Sequence, residues 1–147
     1  MTTGDDDLLD VYADALIECV AEGRARCLRG PDAEPLPAAA PIFVFTAYDP
    51  AGEERDQALN DAAERELEHE LRIAGVTFWP ATGRSPDTSW SEPGVAVAHF
   101  DRAEACVYGT RFGQLAVYEL TDDEVRVVRC VDGGVVRSRP RRIPKSG

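Results

Sequence analysis

The sequence lacks the patterns by which common catalytic and metal sites are recognised. It contains no glycine-rich phosphate loop, no G-x-S-x-G nucleophile elbow and no H-E-x-x-H zinc motif. Its four cysteines form no C-x-x-C pair, and its two histidines lie far from them along the chain. Zinc sites are usually built from closely spaced pairs of ligands. We therefore expect no metal site and no cofactor, and we expect the cysteines to be reduced and mostly buried.

The chain also has no long hydrophobic run. No stretch comes near the roughly 18 to 20 apolar residues that a membrane helix requires. Its first residues, Met1 to Asp7, are acidic, whereas a secretory signal begins with basic residues and continues with apolar ones. We therefore expect a cytoplasmic protein that does not bind membranes. With 147 residues, 44% of them hydrophobic, the chain can form one domain with its own core.

Basic side chains are scarce and unevenly placed. Sixteen Lys and Arg residues stand against 27 Asp and Glu residues, and the net charge is −11. Five of the sixteen lie in a basic tail over 137–147, and no acidic residue follows Asp132. Phosphate backbones are bound through many Lys and Arg contacts, so we expect no nucleic-acid binding except through this tail. The simpler interpretation of the tail is a frayed, solvated end that lies against the acidic body.

The first 41 residues divide into a helical pattern and a proline-rich stretch. Apolar residues at positions 8, 12, 15, 16 and 19 follow the helical i, i+3, i+4 spacing. This spacing predicts a helix over 8–22 that ends at Gly23, within an N-terminal segment 1–29. Four prolines between residues 30 and 41 cannot continue a helix, so we interpret 30–41 as a linker.

From residue 42 onward, strand and helix patterns alternate. Residues 42–47 form a continuous apolar run between two prolines, which is typical of a strand buried on both faces. Acidic residues at 53, 54 and 56 complement the dipole at the start of a helix. The helix then carries one apolar stripe and ends at Gly75.

Two further strands are predicted at 76–79 and 94–100, with a long loop over 80–94 that is rich in proline, glycine and serine. Asp101 and Glu104 have the spacing of a capping box, which predicts a helix that begins there and ends at Gly113. Later strands are predicted at 114–120, at 125–129, and after the hairpin signal Asp132-Gly133.

The order of elements over 42–120 is therefore β-α-β-β-α-β. This order predicts an α+β fold of the split βαβ, ferredoxin-like type, with two extra C-terminal strands and the N-terminal helix. We expect a single α+β domain over 42–136, in which the first and third strands lie centrally and run parallel. Helices would cover one face of the sheet and leave the other face open.

Several short motifs follow one another over about residues 42–120. They are Thr46-Ala47-Tyr48-Asp49-Pro50, Asn60, Leu67, Leu71, Phe78-Trp79-Pro80-Ala81, Gly83-Arg84, Pro86-Asp87, Trp90-Ser91-Glu92 and Phe112-Gly113-Gln114. In this order and spacing the chain resembles the bacterial domain-of-unknown-function family 3293. The resemblance implies a shared fold and no particular reaction. The sequence departs from the family pattern at Asp49, Glu64 and Leu115, where asparagine is common in the family.

The predicted topology brings polar residues to one end of the sheet. The ends of the first and third strands and the start of the fourth would gather Thr46, Asp49, His99, Asp101 and Gln114 near Asn60. Trp90 and Glu92 would start from the opposite edge unless the long loop folds back. The candidate ligand-binding residues are Thr46, Asp49, Asn60, Glu64, Trp90, Glu92 and Gln114, and we assign no catalytic residue.

Two hypotheses about function remain open at this point. The first is a non-enzymatic module that binds a small ligand or a protein, since no catalytic set is assembled in the sequence. The alternative is a small enzyme with a polar pocket at one sheet edge, in which a carboxylate acts as acid or base; its residues would be Asp49, Asn60, Glu64 and Gln114. Asn60 is a poor helix former, so it would either tie the first strand to the helix or bind the ligand.

Overall fold

The computed structural model describes residues 3–49, 54 and 56–144 of the chain. Three helices and eight strands lie in these ranges, in this order: α1 (Thr3–Ala13), β1 (Leu16–Ala21), β2 (Arg24–Arg29), β3 (Ile42–Phe45), α2 (Gln57–Ile73), β4 (Phe78–Arg84), β5 (Ser91–Val97), α3 (Arg102–Arg111), β6 (Ala116–Leu120), β7 (Glu124–Arg129) and β8 (Val135–Pro140). The predicted helix start at residue 53 and the last three residues of the predicted tail lie outside the described residues. No helix in the described ranges is both long and apolar enough to cross a bilayer.

All eight strands form one antiparallel sheet, in the order β2-β1-β4-β5-β3-β6-β7-β8, curled into a half-barrel. The predicted ferredoxin-like fold class is therefore wrong. The β-α-β-β-α-β order over 42–120 is present, but element order does not tell where a sheet ends, and this one continues through two strands at each edge. The expected parallel arrangement is also wrong, because β3 pairs with β5 antiparallel, with Val44 opposite Ala96.

The helix predicted over 8–22 is wrong beyond α1, where the chain turns into the hairpin of β1 and β2. Alternate side chains of this segment are buried, namely Ala15, Ile17, Cys19 and Ala21. This is the two-residue period of a strand. Glu22 and Gly23 have φ values of 55° and 77°, and they form the two-residue turn of the hairpin. Gly23 therefore marks a strand turn rather than a helix end.

The loop predicted over 80–94 is shorter than expected. β4 and β5 pair from Phe78 opposite Val97 to Arg84 opposite Ser91, so only residues 85–90 connect them. The amide of Ser85 donates to the carbonyl of Trp90 (3.1 Å), and the Ser85 hydroxyl accepts from the amide of Trp90 (3.1 Å). This closed turn fixes Trp90 beside the start of β5.

The basic tail is not a frayed end over 137–144. Its first residues belong to β8, and Arg137 donates from Nε to Asp10 of α1 (2.7 Å). The buried Arg141 donates to the backbone carbonyls of Leu28 (2.9 Å) and Asp122 (2.9 and 3.1 Å). The tail therefore connects the N-terminal elements α1 and β2 to the C-terminal part of the sheet.

The two faces of the sheet are covered differently. α2 and α3 pack on the helix face, where the buried core includes Phe43, Phe45, Leu67, Leu71, Val95 and Val97. On the other face, α1 packs on β6 and β7, and the proline-rich segment 30–41 packs on β1 and β3 through Leu36 and Ala38. We call this the cleft face, because a cleft remains beside α1.

The predicted helix boundaries from residue 57 onward are confirmed where local interactions define them. At the start of α3, Asp101 Oδ1 accepts from the amide of Glu104 (2.8 Å), and Glu104 Oε1 accepts from the amide of Asp101 (3.0 Å). This is the predicted capping box. Gly75 and Gly113, with φ values of 72° and 77°, follow the ends of α2 and α3.

Candidate functional site

Two buried polar side chains hold the backbone of the loop that follows β3, residues 46–49. Glu64 of α2 accepts a hydrogen bond at Oε1 from the amide of Ala47 (3.0 Å). Gln114, which precedes β6, donates from Nε2 to the carbonyl of Tyr48 (2.9 Å). The two side chains are 6% and 7% exposed. Buried backbone groups must be paired, so these side chains replace the strand bonds that the 46–49 loop lacks.

Asn60 completes this support through two hydrogen bonds with Asp49. Its Oδ1 accepts from the amide of Asp49 (2.9 Å), and its Nδ2 donates to Asp49 Oδ1 (2.8 Å). Asp49 has a φ of 41°, in the left-handed region that Asn and Asp tolerate better than most residues. Asn60 therefore ties the helix to the loop that follows β3, because its partner is Asp49 and not a residue of the strand itself.

Thr46 joins the loop to β5. Its hydroxyl donates to the carbonyl of Pro93 (2.6 Å) and accepts from the amide of Tyr48 (3.0 Å). A Cβ atom on Gly94 would lie only 2.4 Å from the carbonyl oxygen of Phe45. Only glycine therefore lets the start of β5 come this close to the end of β3, which positions the neighbouring Glu92.

A cleft opens on the cleft face between α1, the 46–49 loop and the β4–β5 hairpin. It is lined by Tyr12, Val44, Phe45, Thr46, Ala81, Gly83, Trp90, Glu92, Gly94, Gln114, Ala116, Val117, Tyr118 and Val127. The open volume, including the mouth, is about 510 Å³, but the centre of a water-sized sphere can move through only about 40 Å³ of it. The cleft is thus narrow, mostly apolar and lined by four of the predicted residues.

Glu92 is the acidic residue in the wall of the cleft. Burial and the nearby charge of Asp49 raise the pKa of Glu92 to about 7. Within the described residues, no hydrogen bond or ion pair engages its carboxyl group. A half-buried carboxyl that has no partner among these residues can accept hydrogen bonds from a ligand.

Glu64 is a second carboxyl with a raised pKa. Burial raises the pKa of Glu64 to about 7, although the hydrogen bond from the amide of Ala47 acts in the opposite direction. Its Oε2 is buried and has no hydrogen-bond partner in the described part of the chain. Both carboxyls can therefore gain or lose a proton near neutral pH.

Two tyrosines form the wall on the α1 side. The hydroxyl of Tyr118 in β6 donates to the carbonyl of Tyr12 (2.8 Å), and the two rings meet edge to face with centroids 6.3 Å apart. Burial raises the pKa of both phenols, so they are neutral at physiological pH. This pair anchors α1 against β6 and closes one side of the cleft.

The antiparallel pairing of β3 with β5 decides which predicted residues meet. The end of β3 lies beside the start of β5, since Phe45 is opposite Val95. Trp90 and Glu92 therefore join Thr46 and Gln114 at the cleft. The expectation that His99 and Asp101 would join them is wrong, because both follow the far end of β5.

Sequence reasoning missed both tyrosines as wall residues. Tyr12 was assigned only to the apolar stripe of a helix, and Tyr118 only to a strand. Ala116, Tyr118 and Leu120 alternate along β6 and therefore share one face of the sheet, but this spacing does not indicate which element Tyr118 contacts. Among the described residues, no group of three or more His, Cys, Asp or Glu side chains is arranged to hold a metal ion.

Comparison with known proteins identifies a family match. No curated protein and no solved structure matches the chain. The family model DUF3293, described as a protein of unknown function, matches residues 45–117. These residues contain the 46–49 loop, its three supporting side chains, and Trp90 and Glu92 of the cleft wall. The resemblance seen in the sequence motifs is thus confirmed over residues 45–117, which belong to the DUF3293 family.

Proposed function

We propose that this protein is a binding module for a small, largely apolar molecule that enters the cleft beside α1. The observation that carries the proposal is the cleft itself, an apolar recess with a few polar groups at Thr46, Glu92 and Gln114. Sites for small molecules are typically concave and apolar, with a few polar groups that orient the ligand. The narrow space favours a single chain or the end of one ring over a bulky ligand.

The support of the 46–49 loop strengthens this proposal. Asn60, Glu64 and Gln114 direct their hydrogen bonds to the loop backbone, so they hold the cleft entrance in one conformation. A pre-organised site loses less conformational entropy when a ligand binds. Asn60 and Glu64, which do not line the cleft, are therefore positioning residues, and the ligand contacts come from Thr46, Gln114 and the other wall residues. A cytoplasmic location fits the four free thiols.

Narrowing the cleft tests the proposal. A Cβ atom on Gly83 would lie 3.9 Å from Cζ3 of Trp90, an ordinary contact, and Gly83 does not have a positive φ. Gly83→Val should therefore fill part of the cleft without straining the backbone. The neighbouring Thr82→Val is the matched control, since alternate residues of a strand point to opposite faces.

The measurement is the thermal shift of each protein with a panel of small apolar alcohols, amines and amides. A ligand that binds only the native state raises the melting temperature. We expect panel members to stabilise the wild type and Thr82→Val, and to stabilise Gly83→Val much less. The proposal fails if no panel member stabilises the wild type, or if Gly83→Val responds as the wild type does.

A small enzyme is a second candidate, and one observation favours it. The pKa values of Glu64 and Glu92 are both raised to about 7, where a carboxyl serves well as acid or base at neutral pH. One observation opposes the enzyme hypothesis: Asn60 and Gln114 form their hydrogen bonds with the loop backbone. Turnover of a small substrate that is lost in Glu92→Gln would favour the enzyme over the binding module.

A further inference from the structure

The cleft carries a negatively charged group although its walls are mostly apolar. Glu92 lies in the wall, and the charge of Asp49 is near enough to raise the pKa of Glu92. None of the residues that line the cleft is Lys, Arg or His. The neighbouring strand carries Arg84, but its guanidinium lies 3.6 Å from Glu18, on the side of β1. The charge of Glu92 is thus uncompensated within the described residues.

Aromatic rings accompany this carboxyl. Tyr12, Trp90 and Tyr118 all line the same narrow space. The face of an aromatic ring attracts cations, most strongly where water is excluded. The two tyrosines stay neutral because burial raises the pKa of each phenol, so they add rings without adding charge. An anionic ligand would instead meet the Glu92 carboxylate and no basic side chain among the lining residues, which is unfavourable at short range.

We infer that the cleft binds an organic cation, a small ammonium compound whose apolar part enters the cleft and whose charge lies between Glu92 and the aromatic rings. This inference rests on the proposed function, because it names the chemical class of the ligand for the same cleft. The narrow space restricts the apolar part to a few carbon atoms in an extended chain. Binding of a cation would also compensate the Glu92 carboxylate, which has no partner in the described part of the chain.

Three probes of equal length separate charge from apolar contact. They are n-butylammonium, n-butanol and n-butyrate, titrated by calorimetry at pH 8, where Glu92 is ionised in the folded protein because its pKa is about 7. We expect n-butylammonium to bind at least about tenfold more tightly than n-butanol, a difference of about 1.4 kcal/mol. We expect no measurable binding of n-butyrate.

Two variants test whether Glu92 is the cause. Glu92→Gln keeps the size of the side chain and removes its charge, so the preference for n-butylammonium over n-butanol should fall below about threefold. Glu66→Gln, an exposed position on α2, is the control and should keep the full preference. Trp90→Leu is a second test, since loss of the ring should weaken the binding of n-butylammonium more than the binding of n-butanol.

The outcomes distinguish the inference from the proposed function. If n-butanol binds as tightly as n-butylammonium, and Glu92→Gln changes neither affinity, the cation inference is wrong while the apolar cleft stands. Tighter binding of n-butyrate, or no binding of n-butylammonium to the wild type, also overturns the inference. The proposed function is judged separately, by the response of Gly83→Val to the wider panel.

Discussion

The helix face and the cleft face of the sheet differ in the size of the side chains that meet there. On the helix face, Phe43, Leu67 and Leu71 are fully buried and fill the space under α2. The cleft is instead lined by small residues, namely Ala81, Gly83, Gly94 and Ala116, between larger aromatic side chains. Interiors are normally packed without voids, and large side chains achieve this on the helix face. Small residues leave the space that a ligand can take.

The 46–49 loop connects these two regions. Glu64 and Asn60 extend from α2 on the helix face and hold the loop at the entrance of the cleft. The residues that stabilise the fold and those that shape the cleft are therefore separable by mutation. Changes under α2 should affect stability most, changes in the loop support less, and changes in the cleft wall mainly ligand binding.

The largest effect should come from the helix face. Leu71→Ala removes a fully buried side chain and leaves a cavity, so we expect the free energy of unfolding to fall by about 2 to 5 kcal/mol. Leu59→Ala on the same helix is the control, because Leu59 is 58% exposed and should change the stability by less than about 0.5 kcal/mol. Urea unfolding measures the free energy of unfolding of both variants. Equal losses in the two variants would contradict the comparison.

The next effect is a pH dependence that comes from Glu64. Its folded-state pKa of about 7 lies above the ordinary value of 4.5, so the neutral carboxyl contributes stability that is fully present below pH 4.5. That contribution is lost as the pH rises through 7. Between pH 5 and pH 8 this group should lower the free energy of unfolding by about 2 to 3 kcal/mol.

Glu64→Gln isolates this contribution, because the amide copies the neutral carboxyl and keeps the acceptor for the amide of Ala47. The variant should therefore lose less stability than the wild type between pH 5 and pH 8, as measured by urea unfolding at both values. Glu66→Gln, at an exposed position of α2, should follow the wild type. Parallel pH profiles for the wild type and Glu64→Gln would mean that Glu64 is ionised at pH 5.

A smaller effect should come from Asn60. Asn60→Ala leaves the amide of Asp49 without this acceptor in a partly buried site, so we expect a loss of about 1 to 3 kcal/mol in chemical denaturation. Replacing Asp49 by glycine in the same background should recover part of the loss, because glycine adopts a positive φ without strain. An unchanged or higher stability of Asn60→Ala would instead indicate that Asn60 serves the ligand.

The candidate site was only partly predictable from the sequence. Thr46, Trp90, Glu92 and Gln114 were identified as polar or aromatic groups in a motif series, and all four line the cleft. The predicted geometry nevertheless separated Trp90 and Glu92 from Thr46, because it assumed the wrong strand direction. The partners that complete the wall, Tyr12 and Tyr118, come from elements that flank or lie outside the matched segment, and their contact spans more than a hundred residues.

The sequence by itself determined the features that depend on neighbours within a few residues. The capping box of Asp101 and Glu104 and the glycines that follow α2 and α3 are of this kind, since their hydrogen bonds and φ angles are local. The tertiary structure decided that residues 16–21 form a strand, since their apolar positions fit both periods and only pairing with β4 buries them as observed. It also decided the antiparallel direction of β5, the continuation of the sheet at both edges and the existence of the cleft. These depend on the register between strands far apart in sequence, which local periodicity does not encode.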